Sequence, residues 1–90
     1  MVHQRVRLAI LVVAHEAHRV EFTYLRDALG LTPGNLSRHL TTLAEAGLVV
    51  QTKDERGART RTWVRITAKG RRALAREVDL LDALVRRVRP

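Results

Sequence analysis

Cysteine is absent from the 90 residues, so disulfides, thiolate metal sites and thiol redox chemistry are excluded from the outset. Aromatic residues are scarce: Phe22, Tyr24 and Trp63 are too few to build the stacking platform of a single-strand nucleic-acid binder. No apolar run is long. Leu8–Ala14 is the longest, and His15, Glu16, His18 and Arg19 follow it, so it falls short of a membrane span. No small-x-small cleavage site accompanies it, and neither a signal peptide nor a membrane partner is expected; the expected location is the cytoplasm. A Gly-rich phosphate loop, an HExxH pair and a carboxylate dyad at catalytic spacing are also missing. Asp79 and Asp82 stand one turn apart beside Arg76 and Arg86, as a solvated or interface-edge helix face does, so no enzyme is read here.

Acidic residues are in short supply, and the net charge is +8. Its distribution says more than its size. Residues 51–72 hold eight cations, Lys53, Arg56, Arg59, Arg61, Arg65, Lys69, Arg71 and Arg72, against two carboxylates, Asp54 and Glu55. The rest of the chain is nearly balanced. Positive charge gathered in one segment points to a polyanion. Arginine outnumbers lysine 15 to 2, and its planar fork suits phosphate and guanine edges.

The hydrophobic pattern divides the chain into seven elements. Val6, Ala9, Ile10, Val13, Ala14 and Ala17 recur at helical spacing and predict a helix over about Gln4–His18. Leu8, Leu11 and Val12 widen that stripe towards a second surface. Val20-Glu21-Phe22 is β-prone and able to add a minor strand. Thr23 is read as the cap of a second helix, Tyr24–Leu29, ended by Gly30. Thr32-Pro33 opens a third helix whose Leu36, Leu40 and Leu43 share one side, and Gly47 stops it. Two helices joined tightly at Gly30-Leu31-Thr32 make a helix-turn-helix. Leu48–Lys53 and Thr60–Ile66 read as strands around the polar turn Asp54–Ala58, a charged hairpin or wing. Thr67 caps a last helix, Ala68–Val88, with an apolar stripe of Leu74, Val78, Leu81, Leu84, Val85 and Val88. The expected fold is therefore mostly α with a small β-hairpin: a winged helix-turn-helix of order α-β-α-α-β-β-α, filling residues 1–90 as one domain.

A helical wheel puts Gly34, Asn35, Arg38, Thr41, Thr42 and Glu45 opposite the leucines of the third helix, with Ser37 at the edge. This face is small and polar and able to approach base edges. Arg38 suits guanine and Asn35 suits adenine, while Ser37, Thr41 and Thr42 suit phosphate or a thymine methyl. The N-terminus at Thr32 adds backbone N–H groups. In the wing, Arg56 and Arg59 flank the tip, and Lys53 and Arg61 lie on the arms, suited to a phosphate row or a narrow minor groove. The plainer reading of each is a solvated polar position. His39, at the edge of the leucine face, reads as a packed histidine, and Trp63 as a packing residue. His3, His15 and His18 are too weakly patterned to be assigned a metal, and no cofactor is expected.

The segments Asn35-Leu36-Ser37-Arg38-His39-Leu40, Leu43-Ala44-Glu45-Ala46-Gly47-Leu48-Val49 and Ile66-Thr67-Ala68-Lys69-Gly70-Arg71, in this order and spacing, resemble the recognition helix and final-helix start of small winged-helix transcriptional regulators of the ArsR/MarR-like superfamily. The resemblance covers nearly the whole chain. It implies a homodimer built from the first and last helices, through Leu8, Leu11, Val12, Leu74, Val78, Leu81, Leu84, Val85 and Val88, binding an inverted repeat in double-stranded DNA, often as a repressor. The chain departs from the metal-sensing members, whose Cys-x-Cys ligands have no counterpart in Tyr24–Leu29. It names no small-molecule effector and leaves no room within residues 1–90 for an effector domain. A winged helix used as a protein-interaction or RNA-binding module is the alternative, since fold does not dictate function.

Overall fold

The computed structural model describes the backbone of residues 2–89 and the side chains of residues 4–89. Its elements are α1 (Val2–Ala17), β1 (Arg19–Glu21), α2 (Phe22–Leu29), α3 (Pro33–Glu45), β2 (Val49–Asp54), β3 (Arg61–Ile66) and α4 (Ala68–Val88). The order is the expected one. The three strands form an antiparallel sheet in the order β1-β3-β2. The short Val20-Glu21-Phe22 segment thus supplies a real third strand, shifted one residue back, with Val20 opposite Val64 and Glu21 opposite Trp63.

Leucines from three helices meet the inward face of that sheet. Ile10, Leu11 and Ala14 of α1, Leu25 of α2, and Leu36, Leu40 and Leu43 of α3 close over Val20, Val49, Val64 and Ile66, and Leu74 of α4 completes the core. Ile10, Leu25, Leu36, Leu40 and Val64 are wholly enclosed. Each such side chain removed from water contributes about 1.5–3 kcal/mol.

Local signals explain the helix ends. At α3, the Thr32 hydroxyl accepts the Asn35 backbone N–H at 3.1 Å, and Pro33 takes the first helical position. At its far end the Leu48 N–H reaches the Leu43 carbonyl and the Gly47 N–H that of Ala44, around a left-handed Gly47 with φ 77°. Gly30 closes α2 in the same way. The start of α2 differs from expectation. Thr23 is not its cap: the helix begins at Phe22, Glu21 occupies the cap position without a side-chain cap bond, and Thr23 Oγ1 donates to the Glu21 carboxylate at 2.9 Å. Pairing of β1 with β3 carries extended backbone up to Glu21, so the helix starts at the first residue beyond the ladder. The predicted first helix also ends one residue early. His18 leaves it with φ 62°, a left-handed conformation that costs a non-glycine residue about 1 kcal/mol.

Thr67 joins the two halves of the fold. Its N–H donates to the Leu48 carbonyl at 3.0 Å, its hydroxyl donates to the Gly47 carbonyl at 2.6 Å, and the same oxygen accepts the Gly70 N–H at 2.9 Å as the cap of α4. Gly70 lies against the Leu48 carbonyl and Ile66, where a Cβ would have no room. The end of α3, the start of β2 and the start of α4 are thereby held as one joint. Beyond Leu74, α4 runs into solvent, which gives the molecule a long axis of 53 Å against 26 and 21 Å. Among the described residues no helix is long and apolar enough to cross a membrane.

Candidate nucleic-acid interface

The core leucines decide which way α3 faces. With Leu36, Leu40 and Leu43 buried, Thr32, Gly34, Asn35, Ser37, Arg38, Thr41 and Thr42 are all exposed, as the wheel predicts. Glu45, the one carboxylate of the helix, lies at its C-terminal end, away from the cap. The N-terminal half therefore presents amide, hydroxyl and guanidinium groups with no opposing charge.

Two details refine the chemistry of that face. Thr41 Oγ1 donates to the Ser37 carbonyl at 3.0 Å and Thr42 Oγ1 to the Arg38 carbonyl at 3.2 Å. These hydroxyl protons are spent on the helix itself, as is common for threonine one turn above a carbonyl. Neither threonine is then a ready phosphate donor, and both retain a methyl group. At the N-terminus, Pro33 has no N–H and the Asn35 N–H is taken by Thr32. Of the first three helical residues, Gly34 alone keeps its N–H for an anion, fewer than a generic helix end would offer.

The helix lies between two walls. On one side Asn35, Arg38, His39 and Thr42 form a row at i, i+3, i+4 and i+7, and Arg7 of α1 borders it to close a concavity of about 280 Å³. Arg7 Nε donates to His39 Nδ1 at 3.4 Å. His39 is buried, 8% exposed, in keeping with a packed histidine. On the other side Ser37 faces the wing across a cavity of about 330 Å³ shared with Phe22, Gln51, Lys53 and Thr62. Arg7, Gln51 and Thr62 carry no local signal in the sequence. They join the face only because α1 and the sheet pack on either side of α3.

The wing sorts its cations by strand register. Lys53 pairs with Thr62 and lies on the sheet face turned towards α3, whereas Arg61 pairs with Asp54 on the opposite face, with Trp63 and Arg65. Lys53 and Arg61 are therefore not equivalent positions on the arms. At the tip Arg59 is exposed, and among the described residues no ion pair engages it. Arg56 is folded back: its backbone N–H and its Nε both donate to Asp54 Oδ1, at 3.0 and 3.2 Å. These two bonds hold the Asp54 carboxyl below the usual carboxylate range, and the side-chain bond with the Asp54 charge raises the guanidinium above its own. Trp63 is half-buried on the outer face under the Arg19 guanidinium, 4.1 Å from the ring centroid, and its Nε1 is enclosed without a hydrogen-bond partner among the described residues.

His15 lies beside Arg71, with 3.2 Å between its Nδ1 and the Arg71 Nη1, and His18 leaves the helix with positive φ. The side chain of His3 lies outside the described residues. Among the described residues no three of His, Cys, Asp or Glu converge.

A tri-helical core, a three-stranded sheet and a basic hairpin beside an exposed polar helix define a winged helix-turn-helix. Residues 6–85 match the family model of the winged helix DNA-binding domain, and the chain belongs to that family. It is 43% identical over 66 residues to an uncharacterized protein of Methanocaldococcus jannaschii, covering 73% of this chain and 72% of that one. Among solved structures it superposes on a transcriptional regulator homologue from Pyrococcus horikoshii with a TM-score of 0.88 at 32% identity, over 96% of this chain and 85% of that one. A MarR-family transcriptional regulator from a Rhodococcus species matches with a TM-score of 0.79 at 30% identity, over 92% of this chain but 58% of its own. The family is a DNA-binding one, and both of these structural neighbours are transcriptional regulators or homologues of one.

Proposed function

We propose that this chain binds double-stranded DNA sequence-specifically as a homodimer and regulates transcription, as a repressor, in the cytoplasm. The whole of residues 1–90 acts as one winged-helix unit. Residues 33–46 enter the major groove, and the wing at residues 53–61 lies on the backbone or in the minor groove. The observation that carries this reading is the exposed N-terminal half of α3, which is uncharged but for Arg38 and is walled by cations from two other elements.

Roles follow from the geometry. Arg38 reads guanine and Asn35 reads adenine. Thr41 and Thr42, with their hydroxyls turned onto the helix, offer methyl groups to thymine. Ser37, Thr32 and the Gly34 N–H position a phosphate, and Lys53, Arg56, Arg59 and Arg61 supply cationic contacts along the wing. For the dimer, Val78, Leu81, Leu84, Val85 and Val88 are 38–81% exposed on α4 and need cover, with half-buried Leu8 and Val12 on α1 beside them. Leu11 and Leu74 do not fit that seam: each is only 6% exposed and already packed in the core of its own chain. A two-fold pair of such chains sets its two reading helices about 34–36 Å apart, one turn of DNA, and so selects an inverted repeat.

The test is selection of bound duplexes from a random pool, followed by affinity measurements over a salt series. An inverted-repeat consensus with affinity falling steeply with salt is expected. Equal binding to every duplex, or preference for single-stranded DNA or RNA, overturns the reading.

A further inference from the structure

Resting on the reading that α3 enters the major groove, we infer that Arg7 of α1 is a phosphate clamp, holding the DNA strand on the side of α3 away from the wing. On the wheel centred on Leu36, the row Asn35, Arg38, His39 and Thr42 lies about 60–160° to one side, and Ser37 lies about 100° to the other. Arg7 borders the first flank and Lys53 faces the second. Each shoulder of the exposed face therefore carries one cation from another element, with Arg38 of the helix itself near the crest.

That spacing has a counterpart in the ligand. A helix in the major groove of B-DNA is bordered by two phosphate rows, about 12 Å apart across the groove. Lys53 and the wing tip serve one row. Without Arg7, the cation on this flank is Arg38 alone, which lies about 160° from Leu36 and is assigned above to the bases, and the Thr42 hydroxyl is already committed to the Arg38 carbonyl. Arg7 is also prepared for the task. Its Nε is bound to the enclosed His39, while its two terminal nitrogens hold no hydrogen bond among the described residues. A guanidinium anchored at one nitrogen and open at the others suits a phosphate's oxygens, with little ordering left to do on binding.

The experiment uses the full chain and two duplexes, the selected sequence and a scrambled one, with dissociation constants measured at several salt concentrations. Arg7→Gln is the main variant. Arg7→Met, which keeps the apolar stem, guards against loss of fold, and thermal melting reports on both. Arg7→Gln should weaken binding to both duplexes by a similar factor and lower the salt slope by about one per chain, with base preference unchanged. Arg7→Lys should keep most of the slope. Duplexes carrying single methylphosphonate linkages, which remove one phosphate charge at a time, should show one position that matters to wild type and not to Arg7→Gln. It should lie on the opposite side of the groove from the position silenced by Lys53→Gln.

An unchanged slope and phosphate map in a folded Arg7→Gln or Arg7→Met that still binds the selected duplex overturns the clamp and leaves the proposed function standing. A changed base preference in those variants makes Arg7 a base reader and equally overturns it. Wild-type protein that fails to bind duplex DNA overturns the proposed function, and the clamp with it.

Discussion

Two helices of this chain each leave a face uncovered, and the two faces are chemical opposites. The open face of α3 is built from Gly34, Asn35, Ser37, Arg38, Thr41 and Thr42; that of α4 is built from Val78, Leu81, Leu84, Val85 and Val88. The first is at ease in water and gains by meeting a polyanion. The second is at ease only when covered by apolar surface. A single exposed leucine needs no explanation, but five exposed aliphatic side chains at helical spacing on a projecting helix mark a surface that is meant to be covered. In the function proposed above, one face serves recognition and the other assembly. They meet at the joint of Thr67 and Gly70, which links the end of α3 to the start of α4.

Substitutions can break this division of labour, and the largest effect is expected at the apolar face. Leu81→Asp or Leu84→Asp would place an unpaired carboxylate in the dimer seam, a cost of about 3–5 kcal/mol. The variants should sediment as monomers and lose DNA affinity by roughly 10²–10⁴-fold, the advantage of two linked half-sites, with α3 untouched. A variant that still dimerises, or a wild type that is monomeric at micromolar concentration, refutes the assignment of α4.

The next effect strikes the joint, and so both faces together. Gly70→Ala drives a methyl group into the Leu48 backbone carbonyl and the buried Ile66 side chain. Overpacking of this kind costs about 1–3 kcal/mol, and each kcal/mol lowers the melting temperature of so small a domain by about 4–8 °C. Calorimetry showing a melting temperature equal to wild type would mean that the joint is looser than its geometry.

At the recognition face, Arg38→Ala should leave the dimer intact and relax preference at one base pair per half-site, worth roughly 1–3 kcal/mol. A uniform loss over all sequences would make Arg38 a phosphate contact. The smallest effects belong to the wing. Arg59→Ala should lower the salt slope by about one per chain, and Arg56→Ala by less, because Arg56 must exchange Asp54 for a phosphate. Asp54→Asn should erase that difference between the two arginines. Lowering the pH should do the same only far into acid. The carboxyl is held below its ordinary range, so the Asp54–Arg56 pair is intact above that range and is lost as pH falls through the lowered value.

How much of this could be read directly from the chain depended on whether the signal was local. Thr32-Pro33, Gly47 and Thr67 mark helix ends through bonds to residues within a few positions, and the structure uses all three as read. Thr23 misled because the boundary there is controlled by pairing of β1 with a strand more than forty residues away, which holds Glu21 extended. The polar face of α3 was legible because three leucines must point inward, leaving the remaining positions outside.

The sequence by itself determined the element order, the winged-helix class, the composition of the exposed face of α3 and the concentration of charge in the hairpin. Each of these follows from the periodicity of apolar residues and from turn chemistry. Only the tertiary structure decided which members of a stripe are spoken for. Leu11 and Leu74 look like their neighbours on the wheel, yet they lie in the core, whereas α4 beyond Leu74 is exposed. It alone placed Lys53 and Arg61 on opposite faces of the hairpin, since strand register assigns neighbouring positions to opposite sides. It alone brought Arg7 to the shoulder of α3. Arg7 and His39 lie 32 residues apart, and no local pattern can report a meeting that the packing of α1 on α3 creates.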